Sequence, residues 1–313
     1  MPRQCRIVSL SLLVCLAVIF TSAQRAKPPA GNPAIAVEAT KAPFGIDLMV
    51  MDADARNQVR IVSGGRNLTP AWSPDGAWIA FARNDIASPG IFIVRPTGSG
   101  LCRVVTTSGV FPFAAPAWTP TPHADGRHRL VYADQDPTDT APDLYAVSAL
   151  CNATDRHQLT STPGIFEGWP AWSVDGRLAA VVDPDIHVFD ATFDTSGAIT
   201  LDAIANLTSV GPLATGFVFG PSWTADGTEL LVSALGELWI ISGSTPGIAT
   251  PITDSPSFVE SRATWAPDFR SIAFAEAGAL YTMDVSQPWT IGTPELLTSL
   301  KRTGLRHPSW RPF

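Results

Sequence analysis

One short phrase, said six times, constrains this chain more than anything else in it. Pro70 to Gly76 reads PAWSPDG, Pro170 to Gly176 reads PAWSVDG and Pro221 to Gly227 reads PSWTADG. Shorter copies begin at Pro116 (PAWTP), Ala263 (ATWAPDF) and Pro308 (PSWRPF). Their tryptophans, Trp72, Trp118, Trp172, Trp223, Trp265 and Trp310, stand 46, 54, 51, 42 and 45 residues apart. A unit recurring at that period is one supersecondary element that cannot bury its apolar face alone. It must stack on its neighbours, as in a solenoid or a propeller.

The unit beginning at Pro70 says which. PAW is short and apolar, and SPDG pre-sets a tight turn through its Pro, Asp and Gly. AWIAFAR (Ala77 to Arg83) alternates as a strand, NDIASPG is rich in breakers, and IFIVRP (Ile91 to Pro96) is again β-rich. TGSG turns the chain into CRVVT (Cys102 to Thr106). Four short strands joined by hairpins make one propeller blade. Third strands recur as DLMVMD from Asp47, DLYAVS from Asp143, DIHVFD from Asp185, ELWIIS from Glu237 and ALYTMD from Ala279. No segment has the apolar period and caps of a long helix, so the fold class is all-β.

The ends complete the count. HPSWRPF supplies a first strand and nothing after it, whereas AIAVEAT (Ala34 to Thr40) resembles a second strand and is followed by IDLMVMD and VRIVS. We therefore expect a six-bladed β-propeller over residues 33–313, its last blade closed by N- and C-terminal strands. Such closure removes the open edge between first and last blades.

Charge and leader limit the partners. The formal charge is −7, and the first 23 residues carry Arg3 and Arg6 with no acid. Without them, 19 basic residues face 28 acidic ones, a net of −9. A nucleic-acid binder needs a basic face to displace phosphate counterions, so that class is disfavoured. The N-terminus has a basic start, a 14-residue apolar run from Ile7 to Phe20, and Thr21-Ser22-Ala23 ahead of Gln24. This reads as a secretory signal over residues 1–23, with residues 24–32 a short linker. Fourteen apolar residues are too few to span a bilayer, and no later segment is long and apolar enough. Cys5 and Cys15 leave with the signal, so Cys102 and Cys151 remain as a candidate disulfide or as two separate thiols.

The order P-x-W-S-P-D-G … I-A-F … L-Y-V-M-D … L-T resembles the TolB-type, WD-repeat-like propeller repeat, over roughly Pro33 to Phe313. The resemblance implies six blades and a place in the bacterial cell envelope. TolB proteins carry an α/β domain ahead of the propeller, and here only residues 24–32 separate signal from propeller, so that domain's role is not carried over. Similar propellers precede prolyl-oligopeptidase-type peptidase domains, but no G-x-S-x-G elbow is present.

Several motifs invite a chemical reading. Asp75, Asp175, Asp226 and Asp268 recur in the first turn of the unit, where an Asp supports the turn through nearby backbone amides. SPDGAW approaches the sialidase Asp box but places Asp75 and Gly76 side by side, so the pattern fails. Asp134, Asp136, Asp139 and Asp143 share one loop that could offer oxygens to calcium, but Pro137 and Pro142 interrupt it and no EF-type Gly is present. A solvated acidic loop is the better reading. His123, His128, His157, His187 and His307 are scattered, so no metal site is assigned. Sequons at Asn67, Asn152 and Asn206 matter only if the source glycosylates secreted proteins.

The candidate surface follows from topology. Fourth-to-first connections and second-to-third loops share one face of a propeller. Residues just before each PAW should ring the channel mouth there: Arg66, Phe113, Glu167, Trp169, Phe219, Glu260, Arg262, Arg306 and His307. Aromatics interspersed with Arg and Glu are what protein-binding surfaces favour. The expectation is a monomeric secreted or periplasmic scaffold that binds a protein, with no catalytic residues and no cofactor. The rival is a lyase or hydrolase working at the channel mouth, because propellers host both.

Overall fold

The computed structural model describes residues 34–41, 45–85, 87–108, 114–254, 262–285, 289–299 and 304–312. The signal and linker lie outside them. The chain enters through β1 (Ile35–Lys41), β2 (Gly45–Met51) and β3 (Val59–Val62). Blade one is β4 (Asn67–Trp72), β5 (Ile79–Arg83), β6 (Gly90–Val94) and β7 (Cys102–Val105). Blade two is β8 (Ala117–Trp118), β9 (Arg129–Asp134), β10 (Asp143–Ser148) and β11 (His157–Gln158). Blade three is β12 (Glu167–Trp172), β13 (Arg177–Val182), β14 (Asp185–Phe193) and β15 (Ile199–Asn206). Blade four is β16 (Val218–Trp223), β17 (Glu229–Ala234), β18 (Glu237–Ser242) and β19 (Ala249–Pro251). Blade five is β20 (Thr264–Trp265), β21 (Ser271–Glu276), β22 (Ala279–Asp284) and β23 (Glu295–Ser299). The last strand, β24 (Leu305–Trp310), pairs antiparallel with β1, so the closing sheet runs β24-β1-β2-β3. All six sheets are four-stranded and antiparallel, and the expected six-bladed closure is present.

First strands begin earlier than the PAW motif, at Asn67, Glu167 and Val218. The middle strands are sandwiched between neighbouring blades, which is why β9 and β10 are buried at every residue instead of at every second one. The core is accordingly a ring of inter-blade clusters. One joins Ala179, Val181 and Val188 of blade three to Val218, Trp223 and Val232 of blade four.

The repeated tryptophan holds this ring together in two ways. Trp72, Trp118, Trp223 and Trp265 are buried, filling the inter-blade space. Their Nε1–H groups also donate to a backbone carbonyl of the preceding blade: Trp118 to Ala71, Trp223 to Ala171, Trp265 to Ser222, and Trp72 to Ser309 across the closure. A buried indole gains from having its N–H satisfied, and in these four this bond ties one blade to the next. The following turn is held by its Asp, as expected. Asp226 accepts from the Thr228 N–H and from the hydroxyls of Thr224 and Thr228. Asp75 accepts from the Ala77 N–H and Asp268 from the Arg270 N–H.

Cys102 and Cys151 form a disulfide, their Cα atoms 5.7 Å apart. It joins the outer strand of blade one to a turn of blade two. Asn152 and Ala153 N–H groups donate to the Arg103 and Val104 carbonyls beside it, so the outer edge of blade one is partly covered. Among the described residues no helix is long and apolar enough to cross a membrane.

Candidate functional site: the channel ring

The six first strands surround the axis. At the upper end of each stands the residue that precedes the repeat proline, or Ala263 in blade five. Its backbone is left-handed in five blades: φ is +50° at Thr69, +30° at Ala115, +52° at Trp169, +55° at Gly220 and +44° at His307. A residue before proline normally sits in the extended region, and a left-handed non-glycine costs on the order of 1 kcal/mol or more. A bulge makes the conformation necessary. Pairing with the second strand slips between Leu68 and Ala71, between Gly168 and Ala171, and between Phe219 and Ser222. Bulges take a residue out of the ladder and re-aim its side chain. The strain recurs under different side chains, so it belongs to the fold, while the side chains are free to differ.

They do differ. In the closing blade, His307 Nδ1 lies 2.7 Å from Oε1 of Glu38, which also accepts the Thr69 N–H at 2.6 Å. Glu38 is 1% exposed, on second strand β1. The corresponding second-strand residues elsewhere are Ala82, Val181 and Ser233, paired with Leu68, Gly168 and Phe219 as Glu38 is with Arg306. Its one mark in the sequence is an acid inside an otherwise apolar strand, AIAVEAT, and sequence reasoning missed it.

Arg262 is the sixth ring residue. Its stem runs across Gly220, where an added Cβ would lie 2.7 Å from the Arg262 Cγ. Burial holds its guanidinium down to about 10, opposed by the negative charge of Glu38. It is therefore protonated at neutral pH.

Of the other expected residues, Arg66 and Arg306 are exposed on the rim. Glu167 is 2% exposed and takes the Thr162 hydroxyl at 2.7 Å. Burial raises its pKa against the hydrogen bonds from Thr160 and Thr162, and burial likewise raises that of neighbouring Asp143. Asp143 accepts from the Gln158 amide and the Thr162 N–H. Blades three and four use the same device: Thr208 donates to Asp185 and Thr253 to Glu237. These acids tie the start of the third strand to the end of the fourth. In the acidic loop, Asp134 pairs with Arg156 at 2.9 Å, Asp136 takes Thr138, and Asp139 takes the Gly164 N–H. Asn67 is fully buried, its amide donating to the Ile46 and Gly64 carbonyls. Phe113 and Glu260 lie outside the described residues.

Trp169 and Phe219 meet. Their ring centroids are 5.1 Å apart, and Phe219 stacks in turn on Phe217 at 5.7 Å. Phe217 is 53% exposed, and so is Leu235 at 55%, whose side chain lies against Gly216. Blades three and four thus present an apolar patch on the upper face. Sequence reasoning named Phe219 but not Phe217 or Leu235. The F-V-F alternation marks Phe217, whereas Leu235 carries no signal beyond its place in a tight turn.

Below the ring lies a cavity of about 430 Å³ along the axis. Its walls are the repeat itself: Pro70, Pro116, Pro170, Pro221 and Pro308 above, and Trp72, Trp118, Trp172 and Trp223 further down. Arg262 is the one ring residue that borders it, and the one charged side chain among its described lining.

No known protein-family profile matches the chain. A 54-residue segment is 43% identical to the Tol-Pal system protein TolB of Syntrophus aciditrophicus, covering 17% of this chain and 12% of that protein. An uncharacterized protein of Agrobacterium fabrum is 31% identical over 144 residues, 44% of this chain and 46% of its own length. The matches thus span less than half of either relative. The crystal structure of TolB from Acinetobacter baumannii superposes with a TM-score of 0.67 at 19% identity, over 91% of this chain and 68% of that one. At that identity the likeness establishes the fold: a TolB-type six-bladed propeller.

Proposed function

We propose that this chain is an interaction module of the bacterial cell envelope, exported to the periplasm, whose upper face binds a protein partner. The observation that carries the reading is the stack Trp169–Phe219–Phe217, half-buried at its first two rings and open to solvent at Phe217, beside exposed Leu235. An aromatic cluster with an exposed apolar edge is the usual anatomy of a protein contact. Phe217 and Trp169 are its anchors. The N-terminal signal and the Cys102–Cys151 bridge both support an oxidising compartment. The similarity to a Tol-Pal system protein supports the envelope assignment.

The test is capture from envelope extract by wild type and by Phe217→Asp, with the melting temperature of each measured. We expect Phe217→Asp to fold normally and to lose wild-type-specific proteins, because a central aromatic anchor contributes on the order of 2 kcal/mol or more. Capture of the same proteins by both would remove the upper face from the reading. Fractionation that leaves the chain in the cytoplasm would remove the export.

A further inference from the structure

Arg262 stands apart from the other arginines of the ring and its rim. The recurring geometry of the ring gives it no role in the repeat: it stands where the other blades have Thr69, Ala115, Trp169, Gly220 and His307. Its side chain reaches the cavity only because blade four has glycine beside it, since a Cβ at Gly220 would clash with the Arg262 stem. Among the described residues Arg262 has no hydrogen bond and no ion pair within 4.0 Å. Two other arginines that leave bulk water are tied down. Arg129 is held by Asp125 and by the Gly197 carbonyl, and Arg156 by Asp134. Arg262 is half-buried, and a cation partly withdrawn from water without a partner is completed by an anion.

The cavity limits which anion. Its upper wall is proline, which has no N–H to offer, and Arg262 is the one cation in the lining, beside the hydroxyls of Ser222, Thr264 and Ser309. Glu38 acts on Arg262 through its charge from beyond contact distance, which disfavours a second negative charge nearby. A phosphate dianion is therefore a poor fit. The proline and tryptophan walls favour an apolar body, and about 430 Å³ lies within the range of small-molecule sites. A planar guanidinium matches a carboxylate in bidentate fashion, and low-dielectric walls strengthen that pair.

We propose that the central channel is a binding site for a small monocarboxylate with an apolar body, its carboxylate held by the Arg262 guanidinium and its body against the prolines and tryptophans of the repeat. This goes beyond the protein contact on the upper face and does not depend on it.

The test is calorimetric titration of the full chain with 3-phenylpropionate, using the neutral 3-phenylpropionamide and inorganic phosphate as controls. We expect the carboxylate to bind at least about tenfold more tightly than either control, a charge-assisted bidentate pair being the difference. Arg262→Gln should abolish that preference, and Arg262→Lys should weaken it while keeping the charge. If Arg262→Gln fails to fold, the Lys variant and Gly220→Ala, which pushes the Arg262 stem aside, give the same reading. Phe217→Asp should bind the carboxylate as wild type does, which separates this site from the upper face. Equal binding of acid and amide, undiminished binding by Arg262→Gln, or no carboxylate binding by the folded wild type would each overturn the proposal.

Discussion

The two ends of the first strands make an instructive pair. At the lower end every strand runs into tryptophan, and in blades one, four and five into a turn held by its Asp, with nearly the same residues each time. At the upper end the backbone is equally constant, left-handed at five of six positions, yet the side chains run from glycine to tryptophan. The lower end repeats because its side chains make the fold: an indole that fills the inter-blade space and in four blades donates across it, and a carboxylate that closes a turn. The upper end repeats only in its backbone because the bulge lifts those side chains out of the ladder. What is lifted out is available for recognition.

Three experiments press on this contrast. The strongest removes the lower half of one first strand and leaves its ring residue. Truncation after His307 deletes the Ser309 carbonyl that accepts Trp72 Nε1–H and the β24 pairing with Ile35 and Ala36. We expect the cooperative thermal transition to vanish in circular dichroism, since the closing blade then exposes β1 as an edge. A melt unchanged from wild type would refute the shared blade.

The second compares one tryptophan from each end. Trp223→Ala should cost about 3–5 kcal/mol, measured by urea midpoint, because it empties an inter-blade site and orphans the Ala171 carbonyl. Trp169→Ala should cost about 1–2 kcal/mol, because the ring is only partly buried. Equal losses would mean that the upper end serves the fold as much as the lower.

The smallest effect tests the turn. Hydrogen bonds from Thr228 and Thr224 hold the Asp226 pKa below its ordinary 3.8. A lowered folded pKa means that the contribution is complete above the unfolded value and is lost as pH falls through the folded one. Asp226→Asn should therefore be less stable than wild type at pH 7 by less than about 1 kcal/mol, given its exposure. The gap should close as pH falls below 3.8, and a gap independent of pH would exclude the charge as its source.

Fold and site were legible to different degrees. Six tryptophans, four turn aspartates and the strand order at the two termini are local patterns, and each points to the same blade. Local pattern is enough for a repeat because each unit meets only its neighbours, so what one blade requires, all require. Of the residues expected at the channel mouth, Trp169, Arg262 and His307 stand at the ring positions, but their behaviour was not legible. Glu167, expected as a rim charge, is turned inward onto Thr162 because its strand is paired with β13 and the acid falls on the buried side.

Sequence by itself determined the number of blades, their closure and the turn chemistry, since those follow from residues near one another in the chain. Tertiary structure alone decided which side chains meet across the axis. Glu38 and His307 are 269 positions apart and touch only because the ring closes. Arg262 enters the channel only because Gly220, on the neighbouring blade, leaves room for its stem. Contacts across a closed ring depend on the angle between blades and on the volume each neighbour vacates, and neither quantity is written in any single repeat.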